Sequence, residues 1–158
     1  MISYVFYDHD ERGNEIPLSE NSFLLLMDIC FKYAEMFAMY FSSKTYQMFP
    51  ELEKFQIKEI KTTRNLSAEE MMYYPYLYKR YFECNESSKK ALLNISKNLW
   101  SFLDAWGYEN PENLEFVRSD GSCFFSAIIH EGEARFFPRP GEEISDFLDQ
   151  VHWFKIEC

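Results

Sequence analysis

Glycine, histidine and basic residues are scarce in this chain. Its 158 residues include five Gly and three His, with 16 Lys plus Arg against 26 Asp plus Glu, for a formal charge of −10. Each shortage excludes something. Five glycines leave no phosphate-cradling glycine loop and no GxSxG nucleophile elbow. The three histidines, His9, His130 and His152, are too far apart in sequence for a local ligand pair. His130-Glu131 begins like HExxH, but the second histidine position is Ala134. A surplus of acid opposes general nucleic-acid binding, which needs cations to displace phosphate counterions. It opposes an anionic membrane surface for the same reason.

Cysteine is also sparse and scattered. Cys30, Cys84, Cys123 and Cys158 form no CxxC motif, so neither a zinc ribbon nor a redox pair is encoded. A chain of this length builds a core without disulfide staples. Residues 1–10 carry no basic region and turn acidic at Asp8, unlike a signal peptide. These features together lead to the expectation of a reducing, cytoplasmic setting. No cofactor and no metal are expected.

What the chain has in quantity is aromatic side chains: 16 Phe, 11 Tyr and 3 Trp. Acidic disordered tails lack them, so a folded core is expected. The length fits a single domain, residues 1–158. Phe23 to Phe41 is the most apolar stretch. Asp28, Lys32 and Glu35 fall on one stripe of a helix there, which predicts a core helix of a water-exposed domain rather than a membrane span. Asp28 and Lys32 are spaced to pair across a turn.

Along the chain, Ile2 to Tyr7 reads as a strand, and Glu15 to Leu18 as a short edge strand holding Pro17. Ser19 is placed to cap a helix running to Phe41. Phe55 to Ile60 fits either a short strand or a helical turn. Ser67 and Glu70 have capping-box spacing before a helix over Met71 to Phe82, kinked at Pro75. Asn85 to Trp106 predicts a second helix closed by Gly107. From Leu114 the period becomes two. Leu114–Arg118, Ser122–Ile129 and Glu133–Phe137 then read as an antiparallel meander, with turns at Asp120-Gly121 and Glu131-Gly132. A short helix from Gly141 to Asp149 and a strand from Val151 to Ile156 follow. The expected class is α+β: an antiparallel sheet packed against two or three helices.

Catalytic patterns are weak. Asp8-His9-Asp10 with Gly13 has part of a calcium-loop spacing, but Arg12 stands at the fifth position and Ser19 at the twelfth, where a carboxylate is required. Cys123 and His130, seven residues apart on one extended segment, are about 23 Å apart. A small metal-dependent hydrolase using His130 and nearby carboxylates is the alternative enzymatic reading.

Charge distribution says more. Residues 109–158 hold 11 acidic and 4 basic residues, net −7, while residues 1–108 hold 15 and 12, net −3. The expected acidic face comprises Asp120, Glu131, Glu133, Glu142, Glu143, Asp146 and Asp149. Trp153 or Phe137 would serve beside it as aromatic anchors. Such a face either solvates the protein or meets a basic partner.

The segments Asp28-Ile29-Cys30-Phe31-Lys32-Tyr33-Ala34-Glu35-Met36-Phe37, Phe116-Val117-Arg118-Ser119-Asp120-Gly121-Ser122-Cys123-Phe124-Phe125 and Ile129-His130-Glu131-Gly132-Glu133-Ala134 resemble small acidic bacterial immunity proteins of polymorphic or contact-dependent toxin systems. The resemblance implies a cytoplasmic inhibitor that neutralises a cognate toxin by occluding it, the partner being a basic toxin domain such as a nuclease. It carries over no catalytic residue. An acidic nucleic-acid mimic directed at a host DNA-binding protein follows the same charge logic with a different partner.

Overall fold

The computed structural model describes residues 1–43, 45–61, 76–100 and 112–157. Eight antiparallel strands form one sheet in the order β3-β4-β2-β5-β6-β7-β1-β8. The strands are β1 (Ile2–Tyr7), β2 (Met36–Ser42), β3 (Gln56–Lys61), β4 (Tyr76–Glu83), β5 (Glu112–Val117), β6 (Cys123–Ile128), β7 (Glu133–Phe136) and β8 (Trp153–Glu157). Three α-helices are described: α1 (Glu20–Tyr33), α2 (Glu86–Ile95) and α3 (Ser145–Leu148). The class is α+β, with helices against one face of the sheet.

Alternation along the strands builds that face. Phe37, Met39 and Phe41 of β2 stand opposite Phe82, Arg80 and Tyr78 of β4. Leu114 and Phe116 continue the layer to Ala127 and Phe125, then to Ala134 and Phe136, then to Phe6 and Tyr4. Phe23, Leu26 and Met27 of α1 and Phe147 of α3 close over it, all fully buried. Most aromatic rings meet edge-on or tilted, as at Phe136–Phe147 and Phe31–Phe116, while Phe37 and Phe82 stack.

The second face is thinner. Ala38, Tyr81 and Val117 form a separate small cluster with Met36 against it. The Lys79 ammonium pairs with Glu115 at 2.5 Å and lies over the Tyr40 and Tyr81 rings. Burial works to lower the Lys79 pKa, but the bond to Glu115 and its charge outweigh that and raise it.

The helix starts expected at Ser19 and Asn85 hold, while the short helix expected from Gly141 begins only at Ser145. Ser19 accepts from the Ser22 N–H at 3.1 Å, and Asn85 accepts from the Ser88 N–H at 2.8 Å while Ser88 returns a bond to Asn85. The helix ends are corrected. The first helix stops at Tyr33 instead of Phe41, because Ala34 is already extended and the sheet captures the chain. Glu35 donates to the Val117 carbonyl and accepts from Cys84. A run as apolar as residues 36–41 satisfies both periods, so pairing on two sides decides for strand β2. Asp28 pairs with Lys89 on α2 instead of Lys32.

The second long helix ends at Ile95. Ser96 turns extended, and its hydroxyl and the Asn98 amide hold the next backbone groups, competing with helix continuation. Trp106 and the Gly107 cap lie outside the described residues, as do Ser67, Glu70 and Pro75. The described part of the expected 71–82 helix is strand β4, where a Tyr- and Phe-rich sequence fits a half-buried pleated surface. Residues 56–61 resolve as strand. Glu15–Leu18 forms only the single bridge His9–Glu15, since Pro17 offers no donor to extend it.

The β5–β6–β7 meander is present, with β8 separated from β7 by β1. Gly121, at φ 84°, takes the left-handed position of the first turn. Gly132 is constrained twice: its φ is 63°, and a Cβ there would sit 2.0 Å from the Asp8 carboxylate.

Candidate functional site

The expected acidic residues fall into three groups, set by where the sheet ends. Asp120 lies in the β5–β6 turn. Arg139 donates to its carboxylate at 2.7 Å, and the Ser122 N–H and hydroxyl donate at 2.9 and 2.6 Å. The Ser122 bonds, with Arg139, hold the Asp120 carboxyl well below its ordinary range.

Glu142 belongs to the same end of the sheet but points inward. Arg118 Nε and one terminal nitrogen form a two-pronged bond to its oxygens at 2.7 and 2.6 Å. Arg118 also donates to the Cys123 and Phe137 carbonyls at 2.8 and 2.7 Å and to the Ser122 hydroxyl at 3.2 Å. Its side chain is 7% exposed and that of Glu142 13%. The pair therefore clamps the β5–β6 turn to the loop leading into α3. Bonding to Arg118 lowers the Glu142 pKa against the opposing effect of burial. Expected on an exposed face, Glu142 is half-buried and structural.

Glu131 and Glu133 stand at the opposite end of β6, roughly 17 Å along the strand. Glu133 pairs with Arg135 at 3.2 Å. Glu131 is exposed, in the 3-10 turn before Gly132.

The third group is α3 and its approach. Ile144, Phe147 and Leu148 are buried, which fixes the inner side of this short helix. Glu143, Asp146 and Asp149 are left exposed. Asp146 and Asp149, three apart across the helix and its helical cap, share a side. The outward turn is held by the Glu143 N–H donating to the Tyr33 hydroxyl at 2.9 Å. At the other end, Ser22 donates to Gln150. Trp153 is 39% exposed and meets Tyr4 edge-on at 5.3 Å.

A cleft of about 420 Å³ lies at the β1–β8 edge, between Tyr7, His9, Arg12, Ile16, His152 and Phe154. Register alone brings Tyr7 and His152 together, so sequence reasoning missed this site. Its polar groups are largely engaged. Asp10 accepts from Arg12 and Asn14 to hold the turn, and His9 Nδ1 lies 2.5 Å from Asp8. His152 meets Phe154 edge-on. No Ser, Cys or Lys is among the described residues lining it.

The described thiols are not activated as nucleophiles. Burial, helped by Glu35 and Glu83, pushes Cys84 up to about 12, and burial with Glu115 pushes Cys123 up to about 11. Cys30 is fully buried and is also raised by burial. Neutral thiols at such values are poor nucleophiles. Among the described residues, no three His, Cys, Asp or Glu side chains converge as a metal site. No described helix is long and apolar enough to cross a membrane.

No family model, curated protein or solved structure matches this chain.

Proposed function

We propose that this chain is an immunity-type binding protein that neutralises a cognate toxin by presenting acid to a basic surface on it. The observation that carries this reading is the exposed trio Glu143, Asp146 and Asp149. Its backbone is anchored by Tyr33 and by the buried side of α3, so binding has to order the side chains but not the segment that carries them. The chain's net charge of −10 adds a long-range attraction that speeds encounter with a cationic partner. The ion-paired acids Asp120, Glu133 and Glu142 contribute to that field but not to direct contact. Trp153, beside this edge of the sheet, supplies an aromatic contact.

The test is co-expression with candidate basic toxin domains from the same genome. Wild type should restore growth, and the combined variant Glu143→Lys, Asp146→Lys and Asp149→Lys should not. With purified proteins, the association rate should fall as salt rises. A salt-independent rate, or full protection by the triple variant, overturns the reading.

A further inference from the structure

The two edges of the sheet are not alike. Strand β3 carries Lys58 and Lys61, and its pairing with β4 is broken by a register shift between Gln56 and Lys58. Charge and irregularity of this kind protect an edge from further pairing. Among the described residues, strand β8 has neither a shift nor a cover. Its five residues pair in unbroken register with β1, and its other side faces no described strand. Trp153 and Phe154 remain 39% and 42% exposed.

We propose that β8 pairs antiparallel with β8 of a second copy of this chain, about a two-fold axis through Ile156. That register sets Lys155 opposite Glu157 of the second copy, and Glu157 opposite its Lys155. Within one copy, Lys155 Nζ already lies 2.5 Å from a Glu157 oxygen, so the two charges share a face. Self-pairing turns each isolated pair into a four-charge cluster across the strands. Opposite charges facing across strands are favourable, and like charges are not. Shifting the axis to Lys155 would set two lysines against each other. On the other face, Phe154 and Ile156 lengthen an apolar strip that begins at Val5 and Tyr7. The net charge of −10 on each copy opposes association, but beyond about 8 Å physiological salt screens that repulsion. The Lys155–Glu157 contacts lie well inside that distance. Both copies keep their helices on the same side, so one continuous sheet results.

Sedimentation of the full chain between about 1 and 100 µM, a range where weak assemblies dissociate, tests this. Wild type should show a concentration-dependent dimer. Lys155→Glu alone and Glu157→Lys alone should each weaken the dimer at least tenfold, and the double swap should restore it. All variants should keep the wild-type far-ultraviolet circular dichroism, because both side chains are exposed. A wild type that stays monomeric throughout the range overturns the proposal, as does a dimer indifferent to the single reversals. So does a monomeric Lys155→Glu that the swap fails to rescue. A chain that is monomeric alone, yet captures its toxin through β8, would assign the edge to the partner and overturn self-pairing as well.

Discussion

Glu142 and Glu143 are neighbours in sequence and opposites in use. Glu142 turns inward to a guanidinium that also ties down two backbone carbonyls, while Glu143 turns outward at the head of an exposed acidic group. The same contrast runs through the C-terminal third. Acids at the β5–β6 end are bound to Arg118 and Arg139, and those on α3 face water. Net charge alone does not distinguish a stabilising carboxylate from a displayed one. The difference lies in which arginine the fold brings within reach.

The sharpest way to break this comparison is Glu142→Gln. Leaving Arg118 buried without its counter-ion should cost about 2–3 kcal/mol of unfolding free energy, read by urea denaturation. Acid titration sharpens it. Because the folded Glu142 pKa lies below its ordinary 4.5, its stabilisation is complete above that value and is lost as pH falls through the folded pKa. The gap between wild type and Glu142→Gln should therefore be constant at neutral pH and close progressively below about pH 4.5. A gap independent of pH would show that Glu142 acts through packing instead of charge.

The α3 group should behave in the opposite way. Reversing Glu143, Asp146 and Asp149 together should slow association with a basic partner about tenfold at low salt, measured by stopped flow. The smallest expected effect is on folding, where the same triple reversal should shift stability by no more than about 0.5 kcal/mol per site. If instead it destabilised as much as Glu142→Gln, the two groups would not differ in role.

Local signals in the sequence were legible where the chain decides for itself. Ser19 and Asn85 mark helix starts because a side-chain oxygen meets an N–H three residues on, whatever surrounds it. Strand β1 and the β5–β6–β7 meander follow from alternation and from Asp120-Gly121 and Gly132 at their turns. Segments without a single clear period were not legible. Residues 36–41 and 76–82 carry no single period, and only pairing with β5, β4 and β3 makes them strands. Among the candidate site residues, composition indicated an acidic third but not its division. Arg118 and Glu142 are 24 residues apart, and nothing in their neighbourhoods announces the pair.

The sequence by itself determined the α+β class, the helix starts at Ser19 and Asn85, the meander and the surplus of acid, since caps, turns, alternation and charge count are local or additive. Only the tertiary structure decided where α1 ends, that β1 lies between β7 and β8, and which acids are displayed. Those outcomes depend on strand pairing and on arginines brought from elsewhere in the chain, and such contacts have no local signature.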